Sequence, residues 1–214
     1  MFTSSQPTAT RFMRKLTFAA GTCLAVLGLS SSPALAGNLL TEAVNTAPCP
    51  GQTFSQPFAA LGDYHYYTLV PGSEFNTPPE GWELLGGAHI VTTTRPDGST
   101  GGVLDLPSGS VAVSAPVCVT LQYPSARVTT RTLEGHAGVT VSVTYPETKS
   151  ETKPKQVATL ASTKAGWEAS EPFSVLPQLT GKVEETREVR FVFAAGGSST
   201  DTQLYGLYVD PWMR

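Results

Sequence analysis

Between Gly138 and Tyr145 the side chains alternate without a break. Val139, Val141, Val143 and Tyr145 fall on one side, and Thr140, Ser142 and Thr144 on the other. A period of two puts one set in a core and the other in water, the pattern of a half-buried antiparallel strand rather than a helix. Similar runs recur at 64–70, 88–94, 102–106, 110–114, 117–122, 127–133, 156–161, 188–194 and 204–210. Turn formers stand between them, among them Pro71-Gly72-Ser73, Arg95-Pro96-Asp97-Gly98, Pro107-Ser108-Gly109 and Gly196-Gly197-Ser198-Ser199. About ten strands at intervals of roughly 10–15 residues predict an all-β, jelly-roll-like sandwich of two antiparallel sheets. Its core should hold Val139, Val141, Val143, Phe191 and Phe193. Residues 182–188 are the one helix-tolerant stretch and lack an apolar face. Residues 147–155 mix charges without apolar side chains and read as a solvated hairpin loop.

The N-terminus sets the compartment. Arg11, Arg14 and Lys15 precede an apolar run over 16–29, and Ala34-Leu35-Ala36 offers small residues for cleavage before Gly37. This is the plan of a secretory signal peptide. The apolar run is about 14 residues, short of the roughly 20 that an anchor needs, and no lipobox precedes Cys23. Residues 1–36 are therefore read as a leader, 37–52 as a tether and 53–214 as the sandwich, secreted to the extracellular side.

The mature chain of 178 residues is a comfortable single-domain length. Losing three basic residues leaves eleven against seventeen acidic ones, a net charge of −6. That balance argues against a nucleic-acid partner. No membrane span remains in the mature chain, no cofactor signature is present, and a monomer is expected. Only Cys49 and Cys118 stay after cleavage, and in an oxidising compartment they have one possible intrachain pairing. Closing that loop would stabilise the fold by about 4 kcal/mol in the chain-entropy model.

The chain carries no HExxH, no GxSxG elbow, no phosphate-cradling glycine loop and no CxxC pair. His65, His89 and His136 are isolated from one another, and a zinc site needs three or four converging ligands. Neither a catalytic nor a metal residue is assigned. Asp63 and Asp97 lie in turn contexts, where an aspartate bonds its own backbone. Glu74, Glu80 and Glu83 cluster around Pro78-Pro79-Glu80-Gly81-Trp82 and could serve hydrolysis if two were held about 5–9 Å apart.

Aromatic residues give the stronger lead, because sugars stack their C–H faces on such rings. Tyr64, His65, Tyr66 and Tyr67 run together along one predicted strand, so both of its faces carry a ring. Trp82, Trp167 and Trp212 stand at strand edges or loops beside Gly81, Gly166 and Pro211. A tryptophan so placed either plugs the end of a sandwich or presents its ring to a ligand. Trp167, Tyr64, Tyr66 and Trp82 are the candidate ligand-binding residues, with Trp167 expected to be the exposed ring.

The runs Tyr67-Thr68-Leu69-Val70-Pro71-Gly72-Ser73-Glu74-Phe75, Gly81-Trp82-Glu83-Leu84, Gly86-Gly87-Ala88 and Val117-Cys118-Val119 complete a pattern with the closing Leu207-Tyr208-Val209-Asp210-Pro211-Trp212-Met213-Arg214. Over most of the mature chain it resembles a group of small exported bacterial proteins without an assigned activity. The resemblance implies a jelly-roll module of the galactose-binding and carbohydrate-binding type. That group often has an acidic pair before its Tyr-Val-Asp-Pro segment. Here Tyr205 and Gly206 stand there, which argues against a calcium site on this strand. Asp210 is expected in a terminal turn or in a salt bridge with a nearby Arg.

Three readings follow. The first is a secreted, non-catalytic sandwich that binds a glycan or cell-wall polymer. The second is a structural or protein-interaction module without a small-molecule site. The third is a secreted glycoside hydrolase using carboxylates from Glu74 to Glu83.

Overall fold

The computed structural model describes residues 52–76, 79–120, 124–135, 138–145, 153–161, 166–175, 186–197 and 200–210. The strands among them are, in order, β1 (Phe54–Ser55), β2 (Tyr67–Leu69), β3 (Glu83–Leu85), β4 (His89–Thr94), β5 (Thr100–Pro107), β6 (Val111–Val113) and β7 (Val117–Thr120). There follow β8 (Ser125–Glu134), β9 (Val139–Thr144), β10 (Lys155–Leu160), β11 (Glu168–Ala169), β12 (Phe173–Ser174), β13 (Thr186–Ala195) and β14 (Asp201–Asp210). No α-helix occurs among the described residues; one 3-10 turn, Ala59–Leu61, precedes β2. The excess over the expected strands is made of β1, β3, β11 and β12. These two- and three-residue pieces are too short to register an alternation.

All pairings are antiparallel and build two sheets. One holds β1, β2, β14, β5 and β4, with β8 on the other edge of β14 and with β11 and β12 beyond β8. The second runs β10, β9, β13, β6, β3, with β7 continuing β6 along β13. Ser114 fills the step between β6 and β7. Its N–H donates to Phe191 O at 2.8 Å and its Oγ accepts the Phe191 N–H at 2.9 Å.

The facing sides of the sheets bury Leu104, Leu106, Val128 and Val209 from the first, and Val139, Val141, Val143, Phe191 and Phe193 from the second. The five core residues expected from the alternation are all fully buried.

Two glycines shape the first sheet. Gly206 has φ of 63°, and the register of β14 against β8 gains one residue between Tyr205 and Tyr208. This is a β-bulge, and it lets Leu204, Leu207 and Val209 all join the core. Opposite the bulge, β5 pairs with 201–204 and β2 with 208–209. The turn after β2 closes the gap between them: Val70 N–H donates to Leu207 O at 2.9 Å, and Gly206 N–H donates to Ser73 O at 3.0 Å. At Gly102 a Cβ would strike the carbonyl oxygen of Phe75, so the chain leaving β2 can lie directly on β5.

Cys118 is buried on β7; Cys49 lies outside the described residues, as do the leader, the cleavage site, His136, Trp212 and most of the 147–155 loop. Among the described residues no helix is long and apolar enough to cross a membrane.

Candidate functional site: a groove on the first sheet

The side of the first sheet that faces away from the core is itself largely covered. Trp167, just before β11, donates its indole N–H to Thr94 O at 2.9 Å. Arg131 of β8 donates through Nη2 to Thr93 Oγ1 at 2.9 Å. Both bonds join the β8 side of the sheet to β4 at the opposite edge, so the sheet curls around this face. Val103, Asp105, Gln203 and Arg127 are buried there.

Near the start of β8 the curled face opens into a groove of about 730 Å³. Its floor is Ser125 and Arg127. One wall is the chain from Leu61 to Tyr67, and the other runs from Trp167 to Pro172. The first wall is built on the 3-10 turn, where Phe58 O accepts the N–H of Leu61 at 2.9 Å. The Phe58 ring meets Tyr67 and Tyr208 edge-on, at 5.1 and 5.5 Å between centroids, and Arg127 stacks over it at 4.5 Å. The second wall is stitched to β8 by Ser170. Its N–H donates to Val128 O at 2.9 Å, and its Oγ accepts the Val128 N–H at 3.2 Å.

Asp63 ties the walls to the floor. Its Oδ2 accepts Arg127 Nη1 at 2.7 Å and the Tyr67 hydroxyl at 2.8 Å, while its Oδ1 accepts the His65 N–H at 3.1 Å. Arg127 Nε then donates to Ser170 O at 2.8 Å, reaching the far wall. Burial pushes the Asp63 carboxyl upward. The bonds from Arg127, Tyr67 and the His65 N–H outweigh it, and the net result lies below the usual aspartate range. Tyr67 moves the other way, raised by burial first and by its bond to Asp63 second. His65 Nδ1 is 3.1 Å from Asp210 Oδ2, so a histidine stands beside this carboxylate where an arginine was expected.

The candidate rings separate. Trp167 lines the groove but is half-buried, not exposed, because Arg131 covers one face of its ring at 4.6 Å and Thr94 holds its N–H. Tyr64 and Tyr66 are 68% and 57% exposed. Alternation along 64–67 sends His65 and Tyr67 into the groove and these two rings to solvent, on coil rather than on the predicted strand. Trp82 is a correction. Only 9% exposed, it packs on Phe75 and Phe193 and donates its N–H to Pro71 O at 2.9 Å, so it is a core plug and offers no face to a ligand.

The carboxylates considered for hydrolysis stand in different surroundings. Glu83 opens β3 in the second sheet and pairs with Arg190 at 3.3 Å. Glu74 sits in the turn after β2, bonded by Asn76, and Glu80 is exposed before Trp82. Asp97 accepts the N–H and hydroxyl of Ser99, as a turn aspartate should. His89 bonds Gly87 O at the surface. Among the described residues no group of His, Cys, Asp and Glu is placed to hold a metal ion.

Sequence reading missed Arg127 and Asp63 as groove residues. One signal was available: Arg127 and Arg131 stand four apart on a strand, hence on one face, opposite Ala126 and Val128.

These residues define a groove edged by an indole on a two-sheet antiparallel β-sandwich. No protein-family model and no curated protein matches the chain. Solved structures of similar outline include the CBM22-1 xylan-binding domain of Paenibacillus barcinonensis Xyn10C, with TM-score 0.48 and 12% identity over 70% of this chain and 97% of that one. Another is the K3 cleaved adhesin domain of Lys-gingipain from Porphyromonas gingivalis, at 0.45 and 12% over 67% and 98%. A third is the carbohydrate-binding module TmCBM61 in complex with β-1,4-galactotriose, at 0.41 and 13% over 65% and 93%.

Proposed function

We propose that the mature chain is exported and binds a glycan, without catalysis, in the groove between 61–67 and 167–172. The observation that carries this is the composition of the groove wall. A half-buried indole stands beside fixed hydrogen-bonding groups in an open space of about 730 Å³, a volume in the usual range for small-ligand sites, roughly 300–1,000 Å³. A sugar ring can lay its C–H face against Trp167 while its hydroxyls meet Asp63, His65 and Glu171. Asp63 is spoken for in this groove: Arg127 and Tyr67 hold it in the carboxylate form, which does not suit it to serve as the acid of a glycosidase.

Export rests on the leader and its Ala34-Leu35-Ala36 site. The Cys49–Cys118 disulfide belongs to the same reading. Gln52 donates its side-chain N–H to Cys118 O at 2.9 Å, which brings the chain within three residues of Cys49 alongside β7. N-terminal sequencing of secreted protein should begin at Gly37, and thiol titration of the denatured, unreduced protein should find no free thiol.

The binding test is a glycan array with the mature protein, followed by titration of the strongest hits. Trp167→Ala should weaken them by about 1–3 kcal/mol, the scale of an aromatic anchor. An array with no hit would remove the reading and leave a structural or protein-interaction module.

A further inference from the structure

Trp167 has two sides, and only one belongs to the groove. The other is occupied by Arg131, which does not line the groove. The Arg131 guanidinium is itself held. Its Nε donates to Gln203 Oε1 at 2.8 Å and its Nη2 to Thr93 Oγ1 at 2.9 Å. Gln203 then donates Nε2 to Asp105 Oδ1 at 2.6 Å. The Gln203 amide is thereby fixed in one orientation, because flipping it would oppose oxygen to oxygen at Asp105 and nitrogen to nitrogen at Arg131. Register places these groups in a single row: Arg131 faces Gln203 across β8 and β14, and Gln203 faces Asp105 across β14 and β5. Asp105 and Gln203 are buried, so the row is rigid behind the ring.

We infer that Arg131 is a positioning residue for the groove: the row Asp105–Gln203–Arg131 sets the plane of the Trp167 indole and so presents its ring to the ligand. The inference rests on the glycan-binding reading for its consequence, but the placement of the ring can be measured without any ligand. A guanidinium suits the task for two reasons. Its planar fork satisfies Gln203 and Thr93 together, and its flat face stacks on an indole, which the compact ammonium of lysine cannot do.

The experiment uses Arg131→Met and Arg131→Lys in the mature protein, each also in a Trp167→Phe background. Acrylamide quenching of tryptophan fluorescence reads ring mobility, with the Trp167→Phe protein as the blank for the other indoles. An array of neutral β-1,4-linked oligosaccharides reads binding. Both Arg131 variants should make Trp167 more accessible to acrylamide, and both should lose about tenfold in array affinity. Neither change should persist at that size once Trp167 is replaced, because the effect passes through the ring. Lysine should not rescue. Quenching and binding like wild type in either variant overturns the inference, as does an equal loss with and without Trp167. If wild type binds nothing on the array, the glycan reading fails, while quenching still decides whether Arg131 places the ring.

Discussion

Replacing Arg127 with methionine tests whether the groove is a locked structure. The side chains of Arg127 and Asp63 are only 8% and 13% exposed. Methionine keeps an alkyl stem on the Phe58 ring but removes the donors to Asp63 Oδ2 and Ser170 O. The Asp63 carboxylate then stays in place with two donors, the Tyr67 hydroxyl and the His65 N–H. Removing one partner of a buried pair costs about 3–5 kcal/mol. The residual exposure of Asp63 puts this case at the lower end, and the lost bond to Ser170 adds about 1 kcal/mol. A loss of about 3–4 kcal/mol should lower Tm by roughly 6–16 °C at this chain length. Urea unfolding, read together with Asp63→Asn and the double variant, completes the cycle. The double variant should be more stable than Arg127→Met alone, since it leaves no uncompensated charge. A loss below about 1 kcal/mol, the scale of a solvated surface pair, would refute the reasoning, as would a double variant no better than Arg127→Met.

The same pair gives a pH signature. The folded pKa of Asp63 is depressed, so its stabilisation is complete above the unfolded value of about 3.9 and is lost as pH falls through the lower folded value. Wild type should therefore lose stability below about pH 4 more steeply than Asp63→Asn in acid unfolding followed by circular dichroism. Asp201 behaves oppositely: burial, then the nearby carboxylates of Asp105 and Glu134, raise its pKa, and its Oδ1 is buried without a hydrogen bond. Asp201→Asn should stabilise the protein at pH 7 by up to about 1 kcal/mol, and calorimetry should show the gain shrinking as pH falls through the raised folded value. Val141→Asp sets a carboxylate between the sheets and should cost more than about 4 kcal/mol; a Tm within a degree or two of wild type would contradict the register of β9.

The alternation of 138–145 gave the strand, its buried face and its place in the core, because a sheet covered on one face writes its period directly into the residues. Strand β14 shows where that logic stops. A strict period of two from Leu204 would send Leu207 and Val209 to the opposite face, yet all three share the core. The extra residue at the Gly206 bulge resets the phase, and a single glycine in a strand does not announce its register. The site was legible in part. Trp167 was visible as an aromatic at a strand edge, whereas Asp63 looked like an ordinary turn residue. Its second role depends on Arg127, 64 residues away, and so on a pairing only the folded sheet creates. Trp82 and Trp167 both follow a glycine, and nothing local distinguishes the plug from the groove wall.

The pairings of β14 bear on how the chain assembles. This strand is bonded to β2, β5 and β8, all of which are synthesised before it. From Pro107 at the end of β5 to Asp201 is 94 residues, roughly 5–20 s of elongation at about 5–20 residues per second. Once Glu134 has been added, β2, β5 and β8 all exist, and each still lacks the strand that will join them. Unpaired edges recruit other chains, and sheets built from such distant segments close slowly. A late strand thus commits the whole sandwich, which cannot close until Asp210 has been added.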